Sequence, residues 1–291
     1  MDKTQARVIT GAPSVIVGTR RQRKWWMYLV ALFSALLYLL PFYVLVNVSF
    51  REITDIGSKL VFPKVFTLEN YKEVLSSPDI WSGFLNSIIL ATETIVVEIL
   101  LGSIAGYGLA RSNNRLSNSF RTLNMAIMMI PGTALLVGTY SLMVKLNLVN
   151  TLTGLALLSA SGGLPGTIFF YTNFITSIPV ALDEAAEIDG AGVVRTFFRI
   201  ILPQLKPITV TRIIMSFVGS WNSYLMPMYL LTSKSKHTVI LVIKVAFSSG
   251  NGTGNLPLAC ATCVIGILPV VILYLFLQKY IIQGQIDSAV K

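Results

Sequence analysis

Six stretches of about 20 apolar residues run through this chain, and a helix of that length crosses ~30 Å of hydrocarbon. By length and polarity they are Trp25–Asn47, Phe84–Ala110, Leu123–Val144, Gly154–Ser177, Ile208–Leu231 and Leu258–Ile281. Inside a bilayer each backbone N–H and C=O must find a partner within the protein, so such stretches are helices or they are not there. Composition agrees: 54% of residues are hydrophobic and 12% charged, against about 25% charged in an average soluble domain. The expected fold class is therefore an all-α membrane protein with six transmembrane helices. Pro41, Pro131, Pro165, Pro227 and Pro269 fall inside these stretches, and membrane helices tolerate the resulting bends when neighbours satisfy the freed backbone groups.

A formal charge of +10 raises the question of nucleic acid, and the positions of the cations answer it. They flank the spans and form no basic face interleaved with aromatics, so no nucleic-acid partner is expected. With the amino terminus placed inside, fifteen Lys and Arg fall in inner segments, Arg212 among them, and eight in outer ones, Arg51 among them. That bias predicts both termini in the cytosol. The first span follows Arg20, Arg21, Arg23 and Lys24 and lacks a small-residue cleavage site, so it is expected to be retained. The expected organisation is a cytosolic tail 1–24, a first span 25–47, an extracytoplasmic loop 48–83, a membrane domain 84–281 and a cytosolic tail 282–291.

Cys260 and Cys263 have C-x-x-C spacing but sit in an apolar run with no second Cys or His cluster, so they read as packed small residues and no metal is expected. The run Glu184–Pro203, "EAAEIDGAGVVRTFFRIILP", interrupts the apolar pattern between spans four and five. Pro179 suits a first helical turn, Asp183, Glu184 and Glu187 lie towards the positive end of the helix, and Gly190 ends it. A second short helix over 193–201 should stop before Pro203. An ordinary solvated loop, an acidic metal or catalytic site, and a docking surface are the three readings. Neighbouring helical acids without His or Cys make a poor metal or catalytic site.

Glu184-Ala185-Ala186, Gly190, Ile200 and Leu202-Pro203 fall at the spacing of the EAA loop, and this segment resembles that of ABC importer permeases. The likeness runs from about Asn86 onward through "NSI", "YGLAR", "IPG", "NTLTGLAL", "ILPQLKP" and "SWNSYLMPMYLLT". It is strongest with the carbohydrate branch, the six-span subunit of maltose-type importers. The resemblance implies a type I importer permease fold with a cytosolic coupling segment over 178–203. In it Glu184, Ala185, Ala186 and Gly190 would meet an ATPase subunit. It implies a homologous permease chain as heterodimer partner, two ATPase subunits and an extracytoplasmic solute-binding protein. It also implies a loop reaching into that binding protein, here Ser248, Gly250, Asn251, Gly252 and Gly254. ATP and Mg²⁺ would sit on the partner ATPase and no cofactor on this chain, which has no G-x-x-x-x-G-K-[ST] phosphate loop. No enzyme activity is expected of it. The expected location is a bacterial-type inner membrane, among lipid.

The implied cargo is a sugar or oligosaccharide; a polyol or glycerophosphate is the alternative within the class. Tyr171, Asn173, Trp221, Asn222 and Tyr224 supply the rings and amides that a sugar path would use, although Trp and Tyr also anchor helices at interfaces. Glu93 and Glu98 are costly in a span and should face protein or water. Five residues apart, they point about 140° from one another and form no paired site. An ion-coupled secondary transporter would use such acids but would have no need of the cytosolic helix pair.

Overall fold

The computed structural model describes residues 25–248 and 255–289, with side chains through Gln278. The chain divides between Tyr43 and Val44 into two units. The first unit is the apolar helix that begins α1 (Trp25–Ser49). The rest of the described chain, from Val44, forms the second. The expected 1–24 tail lies outside the described residues.

In the second unit the chain beyond α1 is organised by buried polar groups. Asn47 Nδ2 donates to the carbonyls of Lys59 (2.7 Å) and Val61 (2.9 Å), and Asn70 Nδ2 to those of Ser49 (2.9 Å) and Arg51 (2.8 Å). Arg51, 3% exposed, donates to the Ser58 and Val61 carbonyls and pairs with Asp55 at 3.1 Å. A residue read as a topology-setting charge thus organises a loop. After α2 (Glu69–Ser76) comes α3 (Pro78–Arg111), the long central helix. Near its Pro78 end Asn86 Nδ2 donates to the carbonyls of Ser235 and His237, while Ser87 Oγ accepts from the Val239 amide, so "NSI" holds the chain that precedes α12 (Val239–Ser248).

The third expected span is two pieces. α4 (Arg115–Met128), capped by the Asn114 side chain accepting from the Ser117 amide at 2.7 Å, meets Gly132–Lys145, which contains α5 (Leu136–Lys145), at 86°. Pro131 lacks an amide hydrogen and biases Ile130 away from helix, which accounts for the break. α6 (Leu152–Thr176) starts at a Thr151 cap, reached through Asn147 and Asn150, both at positive φ (55° and 58°). α7 (Ala181–Ile188), α8 (Val193–Thr196) and α9 (Leu202–Gln204) form the segment between spans four and five. Contrary to expectation, helical backbone runs on through Pro203 to Gln204, because a π turn at Phe197–Ile201 shifts the carbonyl pairing that the imino nitrogen cannot complete. The fifth expected span is also divided, into α10 (Lys206–Trp221) and α11 (Leu225–Leu230). α13 (Leu256–Ala289) closes the chain, its helical backbone continuing past residue 282, where a tail was expected.

Among the described residues four helices are long and apolar enough to cross a membrane, and the number reaches six if each of two bent pairs, Arg115–Met128 with Gly132–Lys145 and Val193–Gln204 with Lys206–Trp221 (74°), counts as one span. α3 and α6 pack closely because Gly102 and Gly106 face Thr167 and Tyr171. A Cβ at Gly102 would lie 2.5 Å from Thr167 Cγ2, and one at Gly106 2.6 Å from Tyr171 Cβ. Small residues four apart let helix backbones approach where lipid offers no hydrophobic drive. Cys260 and Cys263 are free thiols in α13, Cys260 buried.

Candidate functional site

The segment between spans four and five takes its shape from local chemistry. Gly190, at φ +76°, occupies the left-handed position after α7; its amide donates to the Glu187 carbonyl (2.9 Å) and the Ala191 amide to that of Ala186 (2.8 Å). This paired termination satisfies two end carbonyls and needs a residue that accepts positive φ. Glu184 and Ala185 point outward, and Ile188 (86% exposed), Val193 and Val194 leave an apolar tip uncovered. Ala186 is buried: of the four expected contact residues it packs inward on this chain. Beneath lies a core cluster of Tyr107, Tyr171, Ile175, Ile178, Phe197, Ile201 and Leu205.

One acid of the segment is tied to α3. Asp183 accepts from the Tyr107 hydroxyl at 2.6 Å and from Arg111 Nε at 3.0 Å, with Nη2 2.8 Å away, while Arg111 Nη1 donates to the Ile175 and Ile178 carbonyls at 3.2 and 3.1 Å. Tyr107 and Arg111 are the first and last letters of "YGLAR", so two motifs distant in sequence meet in one network.

A second ionic site lies midway along α3. Arg212 of α10 donates from Nη2 to Glu98 Oε2 at 3.0 Å and to Thr167 Oγ1 at 2.7 Å. Thr167 Oγ1 lies 3.1 Å from the same carboxylate oxygen and 3.0 Å from the Gly163 carbonyl, so its one proton serves one of the two. The guanidinium also stands 5.4 Å from the Phe170 ring centroid. Arg212 is therefore no loop charge but a buried cation neutralised across three helices. The pair borders a cavity of about 730 Å³ lined by hydroxyl side chains, including Thr94, Ser159, Ser161, Ser216 and Ser220, with apolar Met, Ile and Leu surfaces between them. Glu98 and Arg212 are the charged residues of that lining.

The five residues expected on a sugar path do not converge on this cavity. Tyr171 is fully buried with its hydroxyl 2.8 Å from Thr209 Oγ1. Trp221 is 3% exposed, donates to the Gly266 carbonyl at 3.1 Å and stacks on Phe217. Asn222 bonds its own helix at Val218 (2.9 Å), Asn173 is exposed, and Tyr224 packs against the Leu230–Leu241 cluster. Glu93 is apart from Glu98; its Oε1 accepts from Thr153 Oγ1 at 3.3 Å. Ser248 ends α12, and Gly250, Asn251, Gly252 and Gly254 of the expected binding-protein loop lie outside the described residues. Among the described residues no cluster of three or more His, Cys, Asp or Glu could hold a metal.

Relatives place this geometry in context. The melibiose/raffinose/stachyose import permease protein MelC of Bacillus subtilis (strain 168) is 36% identical over 264 residues, covering 90% of this chain and 95% of that protein. The multiple sugar-binding transport system permease protein MsmG of Streptococcus mutans is 32% identical, covering 92% and 97%. A crystal structure of a bacterial ABC transporter involved in import of the acidic polysaccharide alginate superposes with a TM-score of 0.79 at 22% identity, covering 90% of this chain and 98% of that one, and shares the fold. Residues 98–286, from the membrane carboxylate of α3 through the segment at Glu184 and into α13, match one family along their whole length. The chain is accordingly a member of the binding-protein-dependent transport system inner membrane components.

Proposed function

We propose that this chain is one of two homologous permease subunits of an ATP-driven importer carrying a sugar or oligosaccharide. The observation that carries the reading is the coupling segment: an exposed Glu184-Ala185 face and an apolar tip on a helix whose Asp183 is already committed inward. Glu184 and Ala185 make the contact with an ATPase subunit, and Ala186 and Gly190 give the segment its shape. ATP and Mg²⁺ belong to that ATPase, of which there are two copies, and an extracytoplasmic binding protein delivers the cargo. Both termini lie in the cytosol: setting aside Arg212 and Arg51, each buried and bonded, removes one cation from either side and leaves the bias intact.

The cargo reading rests on the names of the relatives, which include sugar and oligosaccharide permeases, and on the cavity chemistry. Its hydroxyls suit a polyhydroxylated solute, and its two charged groups neutralise each other. That balance favours an uncharged sugar or polyol over a glycerophosphate.

Gly190→Trp tests the coupling assignment. Its Cβ would meet nothing within 4 Å, so the fold bears only the left-handed backbone penalty of about 1–2 kcal/mol. The indole projects where the ATPase docks. Sugar uptake by the reconstituted importer should fall about tenfold or more, the equivalent of ~1.4 kcal/mol, while the chain still inserts and assembles. Normal uptake would overturn the assignment. Ala185→Cys should cross-link to the ATPase, and its failure to do so during turnover would remove the docking reading itself.

A further inference from the structure

We propose that Arg111 is a positioning residue that yokes the coupling helix to α3, so that displacement of α7 moves α3 and α6 as one body instead of bending the chain joints beside α7. The inference rests on the docking reading above and adds the route by which the push leaves the segment.

α7 is joined to its neighbours by short irregular links. On one side Ser177–Val180 connects it to α6; on the other, Asp189–Gly192 leads to α8, with Gly190 in the left-handed region and open space around a Cβ at Gly192. Links of this kind absorb a push by rotating backbone dihedrals, and force reaches the spans only if something bridges them. Arg111 bridges the first. From the last turn of α3 its guanidinium takes the Ile175 carbonyl in the last turn of α6, the link carbonyl at Ile178, and the Asp183 carboxylate in the first turn of α7. One planar group thus fixes two helices and the link between them, a geometry that a lysine's single ammonium cannot reproduce. Tyr107, one turn back on α3, adds the 2.6 Å bond to the other oxygen of Asp183.

The same helix carries the push onward. Glu98 lies 13 residues before Arg111 on α3, about 20 Å along the axis at 1.5 Å per residue, and there pairs with Arg212 of α10 beside the cavity. The intervening stretch presses Gly102 and Gly106 on α6, leaving little room for α3 to slide against it. Displacement at Asp183 therefore arrives at the cavity wall as movement of a rigid pair of helices.

The test uses the assembled importer, this chain with its partner permease, both ATPases and the binding protein, in proteoliposomes, with sugar taken up per ATP hydrolysed as the readout. Asp183→Asn is the deciding variant, because it is isosteric and leaves the carbonyl contacts of Arg111 in place. It should lower uptake per ATP at least fivefold while the ATPase still turns over. Tyr107→Phe should lower it less, and Arg111→Lys should fail to restore it. An Arg111→Ala/Asp183→Asn pair should be no worse than the more impaired single variant, as expected of residues acting as a unit. Unchanged uptake per ATP in Asp183→Asn, or additive losses in the pair, would overturn the yoke. The Ala185→Cys cross-link separates the two ideas. Cross-linking that persists in Asp183→Asn with full coupling sinks the yoke alone, whereas its absence in the otherwise unaltered chain sinks the docking reading.

Discussion

Replacing Gly106 with valine should prevent the chain from assembling into a stable complex, whereas Gly108→Ala, two residues along the same helix, should be silent or mildly stabilising. The contrast follows from what each added carbon meets. At Gly106 a Cβ would lie 2.6 Å from Tyr171 Cβ and 3.1 Å from the Thr172 amide nitrogen, both too close to the α6 backbone to swing aside. At Gly108 a Cβ meets nothing within 4 Å. Alanine in place of glycine inside a helix gains up to about 1 kcal/mol, so Gly108→Ala keeps that gain. At Gly106 the same methyl forces α3 from α6 and forfeits contact along the interface, and the branched valine adds to an overpacking cost of about 1–3 kcal/mol. The separation also loosens Tyr107 and Glu98, which flank the glycines on α3 and hold the two ionic sites. Thermal unfolding of detergent-solubilised complexes, with Gly106→Ala as the intermediate case, checks the order. Equal stability of Gly106→Ala and Gly108→Ala would show that the close approach does not matter.

What could be read from the chain before its structure was local. The motif spans 20 consecutive residues, Glu184–Pro203, and the turn within it follows from Gly190, which accepts positive φ. Positions that depend on distant partners are not legible in that way. Arg212 near the start of an apolar run looks like a flanking charge until Glu98, 114 residues away, is brought against it. Along the sequence Asp183 is one of three neighbouring acids with Glu184 and Glu187, and only its contact with Arg111, 72 residues before it, sets it apart. The expectation of a sugar path at Tyr171 and Trp221 rests on residue type, since rings and polar tips suit one. In the structure Tyr171 is fully buried with its Cβ and backbone against Gly106 and its hydroxyl beside Thr209, and the buried Trp221 donates to the Gly266 carbonyl. The cavity's uncharged polar groups come from serines and threonines, residues too common in membrane helices to stand out.

Arg212→Ala should be more damaging than loss of both members of its ion pair. Glu98 is 3% exposed, and its partners are Arg212 and the single hydroxyl of Thr167. Removing the cation leaves a carboxylate in a low-dielectric interior, and breaking a buried pair from one side costs about 3–5 kcal/mol. Replacing the pair with apolar residues of similar reach, Glu98→Leu with Arg212→Met, removes both desolvation costs together. Such replacements are often neutral or stabilising by about 1–4 kcal/mol. The double variant should therefore assemble better than Arg212→Ala, even though it has lost more native contacts. Its transport activity then tells what the charges are for. If the pair only holds α3 to α10, uptake returns with assembly. If the bond between those helices must open and reform as the cavity changes sides, assembly returns and uptake stays low, because an apolar seam lacks the directional contact that resets it. Expression and uptake measured side by side for the two variants and for Glu98→Gln distinguish these outcomes, and an Arg212→Ala complex as stable as the unmodified importer would show that the pair carries no weight in the fold.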